Sequence, residues 1–263
     1  MTVGAASHPY LTAPQEQPPL NGISMRMAWS QREGNPTMTR DTEKEAAARS
    51  SLRFVQDGDV VGLGSGSTAT YAVQLLGELV QQGLRIRAIP TSAQTSSLAK
   101  TYGIPIMTFD EVDAIDITID GADEVDPYLR LIKGHGGALL HEKVVASASR
   151  RLVIIVDSSK RVSVLGKSAL PIEVIAFAEP IIRRRVEALG ASVKLRQSDG
   201  APFVTDEGHH ILDCHFGQID HPISLASTLR IMPGVVEHGL FIDMADIVLV
   251  GTAEGVIELK RSE

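Results

Sequence analysis

The strongest constraint in this chain is an alternation of short apolar runs with amphipathic stretches between residues 59 and 157. Asp59-Val60-Val61-Gly62-Leu63 is an apolar run bounded by turn residues and reads as a buried strand. Beyond the glycines that follow, Ala69, Ala72, Val73, Leu76, Leu79 and Val80 share one face of a helix. Arg85–Pro90 reads as a strand and Ser92–Lys100 as a helix. Ile115, Ile117 and Ile119 then alternate into Asp120, and Arg151–Val156 is a near-continuous apolar run ending in Asp157-Ser158-Ser159-Lys160. Strands separated by helices require crossover connections, so the expected sheet is parallel and covered on both faces. A further helix, capped by Asp41 or Thr42 and running through Ala46, Ala47, Ala48 and Leu52, is expected ahead of it.

From Leu170 the pattern changes. Strands are expected near 171–177, 191–196, 202–205, 210–216 and 235–242, and helices near 179–189 and 222–231. That order is a β-α-β-β-α-β unit, a smaller α+β domain. Ile247–Gly251 is fully apolar again and is expected to return to the first sheet.

Composition limits the function. Apolar residues make up 43% of the 263, enough to offset the entropy of ordering a core. Twenty-five Lys and Arg stand against 32 Asp and Glu, a net charge of -7. That balance argues against a nucleic-acid or anionic-membrane partner, while leaving room for an anionic small molecule in a local positive pocket. Cys214 stands alone, which excludes an internal disulfide and a cysteine zinc site and suits a reducing compartment. No apolar run approaches a membrane span. Residues 1–37, rich in proline and poor in large apolar residues, read as a disordered extension without a secretory signal. The sharper alternative is a translation start at Met38.

Four constellations can carry chemistry. Gly62-Leu63-Gly64-Ser65-Gly66-Ser67-Thr68 joins a strand to a helix, where free N–H groups and the helix dipole suit a phosphate. It is neither a P-loop, since no lysine precedes Ser67 or Thr68, nor the dinucleotide fingerprint, whose third glycine would fall at Ser67. A tight turn with an ordinary cap is the plainer reading. Asp120-Gly121-Ala122-Asp123-Glu124 follows a strand directly. Asp120 and Asp123 stand out from an acidic stretch over 110–126 that otherwise reads as solvated charge or caps; a magnesium site is the alternative. Lys133-Gly134-His135-Gly136-Gly137 is another backbone-lined turn, whose lysine can stabilise an oxyanion. Glu142 follows it, and by composition alone reads as a solvated helix charge rather than a base. Lys160, past another strand end, reads as a surface lysine or a site residue. His209, His210, His215 and His221 match no metal-binding spacing.

Together, VGLGSGSTA (61–69), DITIDGADEVD (116–126), LIKGHGGALLHEKVVAS (131–147), VDSSKRVSVLGKSALPIEV (156–174), VTDEGHHILD (204–213) and PGVVEHGLF (233–241) resemble ribose-5-phosphate isomerase type A, in order, over about residues 39–260. The resemblance implies an α/β fold: a Rossmann-like parallel-sheet domain (38–169 plus 245–263) and a smaller ferredoxin-like α+β domain (170–244). It implies an aldose-ketose isomerase of the non-oxidative pentose phosphate pathway, working through a cis-enediol(ate) without metal or organic cofactor. Glu142 would move the proton between C2 and C1, Asp120 would assist ring opening, and Asp123 and Lys133 would hold hydroxyls and stabilise charge. Ser65, Gly66, Ser67, Thr68, Gly121, Ala122, Gly134, His135, Gly136 and Lys160 would line the substrate site. A cytoplasmic homodimer or homotetramer is implied as well. His135 departs from the family's usual glycine, Leu140-His141 from its usual threonine and polar residue, and Ser65 from its usual threonine. A sugar-phosphate-binding regulator, an amino-sugar-phosphate deaminase and a CoA transferase are the competing classes. Retention of Glu142, Asp120 and Lys133 favours the enzyme over the regulator, and the DGADE and KGHGG segments argue against the other two.

Overall fold

Thr39 opens the described part of the computed structural model, residues 39–261. The expected extension over 1–37 and the alternative start at Met38 lie outside the described residues. Thr39 caps α1 (Arg40–Ser51), its hydroxyl accepting from the Thr42 N–H. Asp41 and Thr42, the expected caps, therefore sit inside the first turn, where Asp41 pairs with Lys44.

The chain continues as β1 (Val60–Leu63), α2 (Ser67–Gln81), β2 (Arg87–Pro90), α3 (Ala93–Thr101), β3 (Ile117–Asp120), β4 (Glu124–Val125), β5 (Leu131–Ile132), α4 (Leu139–Ser147) and β6 (Leu152–Asp157). Then come β7 (Leu170–Val174), α5 (Glu179–Ala188), β8 (Ser192–Leu195), β9 (Gln197–Ser198), β10 (Ala201–Pro202), β11 (His210–His215), α6 (Pro222–Arg230), β12 (Val235–His238), β13 (Leu240–Phe241), β14 (Ile247–Thr252) and β15 (Gly255–Lys260).

Six strands form the main sheet in the order β15-β14-β6-β3-β1-β2, parallel except for the β14–β15 hairpin at the edge. The continuous apolar run of β6 serves both faces. Val153 and Ile155 pack with residues of α1, α2 and α3, whereas Leu152, Ile154 and Val156 pack with Val125, Leu131 and Phe241. Strand side chains alternate between faces, so covering both faces demands apolar residues at every position.

The second sheet runs β12-β7-β11-β8, antiparallel throughout, with α5 and α6 packed on it through Ile182, Val186 and Leu229. This is the ferredoxin-like arrangement. The strand expected over 202–205 shrinks to β10, paired only with β9, and Val204 makes a lone bridge to His210. The strand expected over 235–242 breaks at Gly239. Its first part joins the ferredoxin-like sheet, and its second, β13, pairs with β5 in a small sheet ordered β13-β5-β4.

Candidate active site

In an open parallel sheet, loops at the carboxyl ends of the strands converge on one edge. Here Leu63 pairs with Ile119, and Asp120 with Ile154, so the turns after β1, β3 and β6 open on the same edge. After β1 the chain passes directly over Asp120. A Cβ on Gly64 would overlap the Asp120 carboxyl and its backbone, so only glycine fits. Gly66 has φ +94°, left-handed backbone that releases the chain into α2 with the first N–H groups unspent. Ser65 is anchored rather than free. Its Oγ lies 2.7 Å from Thr91 Oγ1, 2.9 Å from Ser92 Oγ and 3.1 Å from Thr95 Oγ1. Those three partners sit at the start of α3 and carried no signal of this role in the sequence.

At the centre is a buried trio. Asp120, Lys133 and Glu142 are 1%, 3% and 5% exposed. Lys133 Nζ lies 2.9 Å from Asp120 Oδ2 and 3.1 Å from Glu142 Oε1, and donates to the Gly121 carbonyl at 2.6 Å. Asp120 Oδ1 accepts from the N–H groups of Ser65 (3.1 Å) and Gly121 (2.7 Å). Glu142 Oε2 is buried with no hydrogen-bond partner among the described residues. Its solvated reading from composition is thus overturned: α4 turns this face toward Lys133 and away from water.

Electrostatics follow from burial. One ammonium stands between two carboxylates cut off from solvent. Burial pushes the Glu142 carboxyl up to about 8, against the opposing pull of Lys133 and with added repulsion from Asp120. Burial likewise raises Asp120, while Lys133 opposes it. Burial works against the Lys133 charge, but Asp120 and Glu142 outweigh it and hold the ammonium firmly protonated.

Asp123 is half-buried and reaches the opposite wall. Its Oδ2 accepts from the His135 N–H at 3.0 Å, and its Oδ1 lies 3.4 Å from His135 Nδ1. These groups enclose a cleft of about 80 Å³. Its walls are the 65–68 turn, Gly121–Asp123, Lys133–Gly136, Glu142 and Lys160. Asp120 alone among the expected residues stands behind the wall, screened by Lys133. A larger cavity, about 380 Å³, lies against Lys143 and Glu237 and contains none of these groups.

The remaining acids of the 110–126 stretch divide. Glu124 and Asp126 are buried braces, not solvated charge: Glu124 accepts from the Gly166 N–H at 2.7 Å, and Asp126 from Tyr128 N and Arg130 N at 2.9 Å. Glu43 of α1, unnoticed in the sequence, braces the turn that carries Lys160 by accepting from Ser158 N and Oγ at 3.0 and 2.8 Å. Among the described residues no group of three or more His, Cys, Asp or Glu is arranged to hold a metal ion.

Residues 87–255 match the sequence model of ribose 5-phosphate isomerase A (phosphoriboisomerase A). The chain belongs to that family. It is 48% identical over 221 residues to the ribose-5-phosphate isomerase A of Sphingopyxis alaskensis, covering 84% of this chain and 97% of the relative. Against that of Cereibacter sphaeroides the identity is 49% over 228 residues, covering 84% and 91%. Among solved structures, a D-ribose-5-phosphate isomerase in complex with phospho-erythronic acid superposes with a TM-score of 0.84 at 44% identity, covering 85% of this chain and all of that one. Ribose 5-phosphate isomerase A of Methanocaldococcus jannaschii gives a TM-score of 0.81 at 40% identity, covering 84% and 100%. The fold of this isomerase A family member is thus that of its relatives over nearly their whole length.

Proposed function

We infer that this chain interconverts D-ribose 5-phosphate and D-ribulose 5-phosphate, the isomerisation that serves the non-oxidative pentose phosphate pathway. The observation that carries the reading is Lys133 Nζ placed between Asp120 and Glu142 at the cleft, with one Glu142 oxygen left unpartnered. A proton α to a carbonyl is weakly acidic, so its base must be oriented and close in affinity to the proton it takes. Glu142, raised by burial, suits that task. It takes the C2 proton of the open-chain aldose while the C1 oxygen gains a proton, giving a cis-enediol(ate). The O2 proton then leaves and Glu142 returns its proton to C1. Lys133 supplies a fixed positive donor for the oxygen that gains charge. Asp120 holds that ammonium from behind. A carboxyl raised by burial can also carry the proton that ring opening requires, relayed past Lys133.

Asp123 and the Gly134–Gly136 turn would hold sugar hydroxyls, and the Ser65–Thr68 turn with Lys160 would hold the phosphate. Phospho-erythronic acid, bound by one solved relative, pairs a phosphate with a planar two-oxygen group, as an enediolate does. No metal or organic cofactor has a part in this sequence of steps. We also propose a cytoplasmic homodimer or homotetramer. The exposed apolar side chains Phe177 and Ile231 support association, and a free, buried Cys214 suits a reducing compartment. No described helix is long and apolar enough to cross a membrane.

The test is direct. Purified protein incubated with ribose 5-phosphate should form ketose, with and without EDTA. Absence of ketose under both conditions rejects the reading.

A further inference from the structure

Arg196 lies in none of the motifs that mark the site. It follows β8, on the ferredoxin-like sheet, yet its guanidinium reaches the catalytic turn. On one side, Nε donates to Asp213 Oδ2 at 3.0 Å and Nη2 donates to Asp213 Oδ1, a two-point fork. On the other, Nη1 donates to the carbonyls of both Gly134 and His135, each at 3.0 Å. The Arg196 side chain is 13% exposed, and of its bonds the one to the His135 carbonyl lies nearest the surface.

Those two carbonyls belong to the two peptide planes that flank His135. The Gly134 carbonyl shares its plane with the His135 N–H, which donates to Asp123 Oδ2 at 3.0 Å. In a trans peptide the oxygen and hydrogen point in opposite directions. Arg196 therefore holds one side of this plane and Asp123 takes the other. By the same geometry, the His135 carbonyl held by Arg196 turns the Gly136 N–H away from the guanidinium. Two further contacts hold the turn, one from just before β7 and one from just after β10. His135 Nε2 lies 3.1 Å from the Ala169 carbonyl, and the Phe203 ring sits where a Cβ on Gly137 would be, with Arg196 5.8 Å from its centre.

We propose that Arg196 is a positioning residue for the isomerisation: anchored by Asp213, it sets the two peptide planes that flank His135 and thereby aims Asp123 and the turn at the sugar. This rests on the isomerase reading. Lysine cannot replace it, because a single ammonium cannot hold a carboxylate fork and two carbonyls at fixed angles.

The experiment measures kcat and KM for ribose 5-phosphate in the parent, Arg196→Ala and Arg196→Lys, with thermal melts of each. Parent turnover tests the isomerase reading by itself, and the ratio of variant to parent tests Arg196. Arg196→Ala should lose about 10- to 100-fold in kcat/KM, the scale of a small misplacement of reacting groups. Millimolar guanidinium should restore much of it, and sodium chloride at equal ionic strength should not. A purely structural residue would show no such rescue. Turnover within about threefold of the parent, or a loss that guanidinium leaves unrestored, overturns the proposal. Should Arg196→Ala fail to fold, Arg196→Lys decides: a folded protein with kcat down about tenfold supports it, and parent-like kcat overturns it.

Discussion

Glu142 is asked to be a strong enough base while buried beside a cation that it shares with Asp120. Its carboxyl, pushed up to about 8, must lose its proton before it can take one from carbon. The free enzyme's kcat/KM should therefore climb with pH and level off above about 8. A profile already flat at pH 6 and above would contradict the assignment. The same shift acts on the fold. An acid raised in the folded state from the ordinary 4.5 to about 8 gives stability that is present below 4.5 and is lost as pH rises through about 8. Glu142→Gln escapes that loss. It should melt like the parent at acid pH and be more stable at pH 8 by about 1–3 kcal/mol. It should also lose about 10²- to 10⁴-fold in turnover, the usual cost of removing a general base, while still binding the sugar phosphate by calorimetry. None of this is legible in Glu142 as a letter. A glutamate in the first turn of a helix is ordinarily solvated, and only the resemblance of the surrounding KGHGG and HEK residues singled it out.

At the level of elements, the turn from β1 into α2 shows what pattern can and cannot reveal. The apolar run and the helical face were readable because each repeats over several residues. That Gly64 lies against Asp120 was not readable, since it depends on β3 pairing beside β1 across the intervening α2, β2 and α3. Gly64→Ala should consequently act at a distance in sequence. Overpacking against Asp120 should destabilise the fold by about 1–3 kcal/mol and depress kcat/KM by displacing the carboxylate behind Lys133. Denaturant titration and kinetics on the same variant check both, and a variant with lowered stability but parent-like kinetics would detach Asp120 from the reaction. The elements absent from the expectation are short or exposed. β4, β5 and β9 have two residues each, too few for any period, and β15 is an edge strand with several exposed positions. The missed cap at Thr39 has another cause: Asp41 and Thr42 are equally good capping types, and which one caps is settled by where α1 must start to pack on the sheet.

Over the whole molecule the question is whether the proposed division into 38–169 plus 245–263 and 170–244 also marks two folding units. Each part has its own sheet, and the change of periodicity near Leu170 reflects that. The seam between them is not a bare linker, however. β13 leaves the ferredoxin-like segment to pair with β5, setting Leu240 against Ile132 and Phe241 against Leu131. Ile132 packs in the core of the ferredoxin-like sheet, while Leu131 and Phe241 pack beneath the parallel one. Lys133 takes its backbone bond from the same seam, its N–H donating to the Gly239 carbonyl at 2.9 Å. Asp206 accepts from the Ala93 N–H at 3.1 Å, and Arg196 reaches the Gly134–Gly136 turn. Opening the seam would expose fully buried apolar side chains and strip Lys133 of its support. Neither part can therefore melt far below the other. Calorimetry should show one cooperative transition with calorimetric and van't Hoff enthalpies in agreement, and loss of activity should follow the same curve. Two resolved transitions, with activity lost in the first, would mean that the ferredoxin-like segment unfolds on its own and that the Gly134–Gly136 turn depends on it only for placement.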